Sequence, residues 1–503
     1  MHTLDTHSIA PGINLTCINT DKFKTGCMAI NLIGSLKRGA ASSAALLPRV
    51  LRRGTAELPD MESIAWALDD LYGARIEPIV RKKGEMHCIG FYADFVDDRY
   101  IPGSGNVLEK TASLMGSMLL SPAMEGGLLR RDYIESEKKN LIDDIRAAIN
   151  DKRGYAIDRL IEEMCAGEAF GVNRLGDEQE ARDITPESLT ARYREFLEDA
   201  YVEVLYCGAA DSERVRDALL PMLQSLPRRA DATLPATEII LSPRNGSVAR
   251  ITEKLDVTQG KLAIGFRMGK AMMKDLDSAA MMIFNAIYGA GVTSKLFTNV
   301  RERLALCYYA GSMVDKQKGI MIVSSGVDFG NVEIALDEIM AQLKNVQNGD
   351  ITDFEFSSAK RSAITSIKAT MDRPAALMDF YFDSRVTAVP YDPEELCDRV
   401  EALTPERIVE VAADIMADTV YFLEGLDSGD AGDDSGDYDS GDGGDDESGD
   451  GMGDAGDDES GDGMGDAGGI EHGGAGGFAG LNNGSASGSG SGASVLYRRN
   501  GGS

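Results

Sequence analysis

The sequence predicts an α+β fold in two similar halves followed by a low-complexity tail, and three observations support this. Thr185-Pro186-Glu187-Ser188-Leu189 recurs as Thr404-Pro405-Glu406-Arg407-Ile408, 219 positions later. Each copy runs through a helix into an apolar strand, Val202 to Cys207 and Val420 to Leu423, so two units of about that length are expected. Between these landmarks, segments of two-residue alternation are interspersed with segments of helical period. At residue 427 the composition changes: residues 427–471 hold 15 Asp and 3 Glu and no Lys or Arg. The expected organisation is a first domain over 1–228, a polar, Pro-containing linker over 229–245, a second domain over 246–426 and a disordered acidic tail over 427–503.

In the first half, Gly12 to Asn19 and Cys27 to Lys37 alternate like strands. Ala44-Ala45-Leu46-Leu47-Pro48-Arg49-Val50-Leu51-Arg52-Arg53-Gly54-Thr55 follows as a short helix, with Gly54 expected as its left-handed cap. Asp60 is placed to cap a second helix running through Trp66 to Leu71, ended by Tyr72-Gly73. Arg75 to Arg81 and Glu85 to Phe95 form a strand pair around Lys82-Lys83-Gly84. His87 on that pair has no partner at metal-ligand spacing and is expected to be a packed strand residue. Leu108 to Leu120 has helical period. A long helical stretch covers Arg130 to Cys165, with a break expected at Gly154. Within it Glu137 and Asp144 lie seven apart and share one face. By itself that pair is equally well a solvated acidic face.

In the second half, Ala249 to Thr258 and Lys261 to Met268 are strand-like, and Leu276 to Ile287 is helical. Gly289-Ala290-Gly291 lacks the third glycine and the preceding strand of a dinucleotide loop. Leu296, Val300 and Leu304 recur every four residues and predict a buried stripe, with Arg301 one position off it. The Thr-Pro-Glu triplets then give each repeat helix an N-cap, a proline at the first turn and an acid near the helix dipole.

Charge and cysteine usage narrow the function classes. The chain of 503 residues has a formal charge of −31, and residues 1–426 alone carry 49 basic against 64 acidic residues, net −15. A nucleic-acid footprint would be basic. Seven cysteines without a C-x-x-C pair fit free thiols in a reducing compartment. Met1 to Leu15 has no apolar core of signal-peptide length, and no run approaches the roughly 20 apolar residues of a membrane span. A cytoplasmic protein is expected. In the tail, Asp445 to Gly456 repeats letter for letter as Asp457 to Gly468. Asp437-Tyr438-Asp439-Ser440-Gly441 begins like a calcium loop but lacks the later ligands.

Two stretches carry a resemblance. The helix at Ala44–Thr55, with its Arg53-Gly54-Thr55 ending, resembles the start of the pitrilysin/insulinase family of zinc metallopeptidases, in the mitochondrial-processing-peptidase branch. Thr293-Ser294-Lys295-Leu296-Phe297 leading to Arg301-Glu302-Arg303-Leu304-Ala305-Leu306-Cys307-Tyr308 resembles that family's S-R-L-F…R-E-x-x-G-L-x-Y pattern, with Ala305 at the glycine. The family's H-x-x-E-H falls here on Ala45, Leu46, Leu47, Pro48 and Arg49, and its third-ligand E-x6-E on Glu137 to Asp144. Zinc needs three protein ligands and an open position, which Ala45 and Arg49 cannot provide, and Pro48 has no carboxylate to act as base.

The resemblance implies two α+β halves, each a mixed sheet packed by helices, that together form half of a clamshell. In two-subunit members one subunit holds H-x-x-E-H and the other supplies the Arg/Tyr pair. It therefore implies a non-catalytic subunit: no metal or cofactor in this chain, zinc in a catalytic pitrilysin-family partner, and peptide substrate contacted by Arg301 and Tyr308. The alternatives are a pseudo-enzyme that binds peptides or a protein without cleavage, and a purely architectural subunit.

Overall fold

The structure, a computed structural model, describes residues 2–426 apart from 104, 230–231, 245, 270–276 and 388–391. The acidic tail over 427–503 and Leu276 lie outside the described residues.

The chain begins with an edge strand that alternation did not reveal, β1 (Thr3–Ala10), whose residues are largely polar and exposed. There follow β2 (Ile13–Asn19), β3 (Thr25–Ser35), α1 (Ala41–Leu51) and α2 (Met61–Asp69). The hairpin β4 (Arg75–Lys83) and β5 (Met86–Val96) leads to α3 (Val107–Leu120) and a short hairpin, β6 (Met124–Glu125) and β7 (Leu128–Leu129). Then come α4 (Arg131–Ala147), α5 (Lys152–Met164), α6 (Glu178–Arg182), α7 (Pro186–Asp199), β8 (Tyr201–Gly208) and α8 (Ser212–Ser225).

Two expected boundaries are corrected. The long helix breaks at Ala148–Asp151 rather than at Gly154, because the Asp151 carboxylate caps α5 by accepting from the Arg153 and Gly154 amides. Gly54 is not a left-handed cap: α1 ends in right-handed geometry at Arg52. Glycine is needed there for a different reason, since a Cβ would lie 2.6 Å from the Pro59 carbonyl oxygen.

The second half contains β9 (Ala249–Leu255), β10 (Gly260–Arg267), α9 (Ser278–Asn285), and two π-wound turns at Ala286–Ala290 and Leu296–Arg303. β11 (Cys307–Asp315), β12 (Ile320–Val327), α10 (Val332–Gln347), α11 (Asp353–Thr370), α12 (Pro374–Thr387), α13 (Pro393–Ala402), α14 (Pro405–Ala412) and β13 (Met416–Gly425) complete it.

The first sheet has the order β1-β2-β8-β3-β5-β4 and the second β11-β12-β10-β13-β9. Without β1, the first reads in reverse as β4-β5-β3-β8-β2, and each position matches one strand of the second. The single parallel neighbour falls at the same place in both, β2/β8 and β13/β9. The sequence repeat is thus a repeat of the whole sheet. In both copies the Thr-Pro-Glu helix, α7 or α14, delivers the strand that pairs in parallel. Thr185 closes a capping box with Ser188, whereas Thr404 has extended backbone geometry without that bond.

One face of each sheet is covered by helices of its own half. The other face is covered by a helix from the opposite half. Leu160, Ile161 and Met164 of α5 pack on Ala263, Ile320, Ile322, Tyr421 and Leu423 of the second sheet. Leu377, Met378, Tyr381 and Phe382 of α12 pack on Ile18, Ala29, Ile33, Ile79 and Leu205 of the first. Burying one such side chain stabilises by about 1.5–3 kcal/mol, so this exchange binds the halves tightly.

Charge reinforces the exchange. Arg267 and Lys318, both fully buried, converge on Glu168, with Arg267 Nη2 and Lys318 Nζ each 2.7 Å from its carboxylate. Arg267 also bonds Asp418 at 2.7 Å, and Lys318 bonds Glu85 at 2.6 Å. From α12, Asp379 and Asp383 reach Arg81 and Lys83 of β4 at 2.6 and 2.5 Å. His87 is buried on β5, and burial together with the nearby Arg192 charge pushes its pKa down to about 3, so it packs as the neutral form. All seven cysteines are buried and unpaired. Among the described residues no helix is long and apolar enough to cross a membrane.

Candidate functional site

Two places carry the residues singled out in the sequence. The first is the contact of α1 with α4. Arg49 Nη1 lies 2.7 Å from Asp144 Oδ2, and Arg53 Nη1 lies 3.0 Å from Glu137 Oε1. The pairs advance by four residues on α1 and its C-terminal extension and retreat by seven on α4, so the elements run antiparallel with two ionic rungs between them. Glu137 also accepts from Asn140 Nδ2 at 3.2 Å, and the Arg53 guanidinium lies 5.5 Å from the centre of the Tyr133 ring. Arg53 was not among the expected site residues. The matching of a four-residue to a seven-residue spacing could have revealed it.

These residues do not fit a zinc ion. Ala45 is fully buried and offers no donor atom. Pro48 sits inside α1 and faces an apolar gap lined by Leu32, Ile89, Phe91 and Phe196. Arg49 brings a guanidinium to Asp144, so a fixed cation stands where a metal would have to bind. Among the described residues no group of three or more His, Cys, Asp or Glu could hold a metal ion.

The strength of the Arg49–Asp144 rung follows from exposure. The side chains are 21% and 52% accessible, so solvent screens the pair. Arg49→Ala should therefore cost under about 1 kcal/mol, with a coupling to Asp144→Ala of a few tenths, read by a double-mutant cycle in denaturant. Coupling of several kcal/mol would mark a desolvated pair instead.

The second place is the turn from the π-wound helix into β11. Leu296 and Val300 are buried as expected, but Leu304 is 42% exposed. The expected stripe fails there because the helix ends at Arg303 and the chain reverses at Ala305, which adopts φ +49°. The Leu304 amide bonds back to Asn299 and the Leu306 amide to Val300, closing a wide helix end. Left-handed geometry costs an L-residue about 1–2 kcal/mol and glycine almost nothing. Ala305→Gly should therefore raise stability by up to about 1 kcal/mol after allowing for the freer unfolded chain, as a shift in denaturant midpoint. A loss of stability would contradict the strain.

Tyr308 follows at a β-bulge. Cys307 pairs with Val327 and Tyr309 with Gly326, which leaves Tyr308 without a partner on β12. Bulges re-aim side chains, and Tyr308 points outward with 65% of its surface accessible. Arg301 is half-exposed. Its guanidinium lies 4.7 Å from the centre of the Phe297 ring, and its nearest carboxylate is that of adjacent Glu302 at 3.6 Å. π-winding, a left-handed alanine and a bulge thus fall within thirteen residues, on the run from the helix that carries Arg301 into the edge strand β11 that carries Tyr308. Among the described residues no hydrogen bond or ion pair joins either one to the α1–α4 rungs.

Comparison with known proteins agrees with this geometry. Residues 183–363 match the family model described as the peptidase M16 inactive domain. A Bacillus subtilis protein named as a probable inactive metalloprotease is 31% identical over 416 residues, covering 83% of this chain and 96% of that protein. A crystal structure of a conserved Enterococcus faecalis protein superposes with TM-score 0.76 at 26% identity, covering 84% of this chain and 99% of that one. A Pseudomonas fluorescens structure described as a peptidase M16 inactive domain shares the fold, with TM-score 0.68 at 16% identity, covering 84% and 98%. With its duplicated sheet, its motif order and a relative matched over nearly its whole length, this chain belongs to the peptidase M16 family, the pitrilysin/insulinase metallopeptidases its sequence resembles.

Proposed function

We propose that this chain is the non-catalytic subunit of a cytoplasmic zinc-dependent peptidase and contributes peptide binding to a partner that carries H-x-x-E-H. The observation that carries the reading is the contrast between the two places. The α1–α4 contact holds an arginine–carboxylate rung in place of metal ligands. The turn into β11, by contrast, carries Arg301 and Tyr308, whose donors are largely uncommitted among the described residues. An arginine fork suits peptide carbonyl oxygens, and a tyrosine hydroxyl can donate to an oxygen that gains negative charge at the scissile bond. The relative from B. subtilis is named as inactive, in keeping with a subunit that does no chemistry alone. The partner's zinc would supply the activated water; this chain's part is to hold the peptide.

The experiment is co-purification with an H-x-x-E-H family member and assay of peptide hydrolysis. The pair should cleave and each chain alone should not. Equal cleavage by the partner alone would remove the subunit role.

A further inference from the structure

Trp66 is the only tryptophan of the chain and lies 67% exposed on α2. Ile64 and Leu68 bury the opposite side of this helix. Glu62, Trp66, Asp69 and Asp70 recur at helical spacing and share the outward face, all of them exposed. Tyr72 follows where the chain leaves the helix, 53% exposed and held at φ +61°. Its amide donates to the Asp69 carbonyl and that of Gly73 to the Leu68 carbonyl, so the turn that projects it is fixed. Among the described residues no cation pairs with Glu62, Asp69 or Asp70. The helix face therefore carries Trp66 among three acids that no cation of the described residues pairs with, and exposed Tyr72 follows just beyond its C-terminal end.

Tryptophan and tyrosine are the residues that most often dominate a protein–protein interface, and the charges around them select the partner. We propose that this α2 face docks the catalytic partner subunit, through a pocket that receives Trp66 and is ringed by Lys or Arg. The inference rests on the subunit reading above and names the surface that reading leaves open. Charge decides among occupants. A second copy of this chain would bring a body of net charge −15 and the same acids against themselves. Nucleic acid and anionic lipid are repelled by the same acids.

The test uses the full-length chain and the H-x-x-E-H subunit that co-purifies with it. Binding is measured by titration at low and high salt, and the hydrolysis assay runs alongside. Trp66→Ala should weaken binding roughly thirtyfold while its melting curve matches wild type, because the side chain is exposed. The triple variant Glu62→Lys, Asp69→Lys and Asp70→Lys should also weaken binding, most at low salt. If Trp66→Ala and wild type bind and activate the partner alike, this surface is overturned while the subunit reading stands. If wild type neither binds nor activates the partner, the subunit reading falls and this inference with it. A self-dimer of the chain abolished by Trp66→Ala would assign the face to a second copy and overturn the proposal.

Discussion

Glu168→Gln is expected to lower unfolding stability by about 3 kcal/mol, the lower end of the cost of breaking a buried ion pair. Glu168 receives Arg267 and Lys318 from the second half, and all three side chains are essentially buried. Removing its charge leaves Arg267 with Asp418 and Lys318 with Glu85. Arg267 and Lys318 thus each keep one counter-ion, and the third cation on Glu168, Arg244 at 3.5 Å, is partly exposed to solvent, which places the cost at about 3 rather than 5 kcal/mol. Burial alone would raise the Glu168 pKa, but Arg267 and Lys318 outweigh it and hold the carboxyl below its usual range. The ionised form is therefore favoured in the folded chain. The difference between wild type and variant should be complete above the unfolded value near about 4.3 and should shrink as pH falls through the lower folded value. Denaturant melts at several pH values read both. A variant within 1 kcal/mol of wild type at neutral pH would show that the α5–α12 exchange holds the halves without this network.

In the reconstituted pair, Arg301→Ala combined with Tyr308→Phe is expected to slow turnover by roughly a hundredfold, since one oxyanion-type donor elsewhere is worth about 3 kcal/mol. Arg301 should act on substrate affinity as well, because a fork to peptide carbonyls is made before the reaction as well as during it. Tyr308→Phe removes only a hydroxyl, and with its ring exposed at a bulge its effect should fall on turnover. Subunit assembly, followed by gel filtration, should not change. An unchanged rate would make Arg301 and Tyr308 residues of the fold alone.

Much of this arrangement is visible in the sequence because local rules decide it. Thr185, Asp60 and the β4/β5 pair follow capping and alternation, and the structure keeps all three. That Ala45 and Arg49 offer no metal donor and Pro48 no carboxylate is legible because metal chemistry tolerates few donors. What is hidden is long-range. α12 is buried on Leu377 and Phe382 and also on Asp379 and Asp383, so it has no single apolar stripe to read. Glu168, Arg267 and Lys318 look like surface charges until the fold brings them together. Leu304 was misplaced because a four-residue stripe assumes the helix continues, and Ala305 ends it with a conformation alanine seldom adopts. β1 is an exposed edge whose polar sequence carries no alternation.

The central claim is that this chain holds peptide and does not hold the metal. Metal analysis and peptide hydrolysis on three samples, this chain alone, its H-x-x-E-H partner alone and the purified pair, test it in one experiment. The account predicts no stoichiometric zinc and no cleavage for this chain, about one zinc per pair following the partner, and cleavage by the pair that neither chain matches alone. One equivalent of zinc retained by this chain through gel filtration and lost on Asp144→Ala would contradict it.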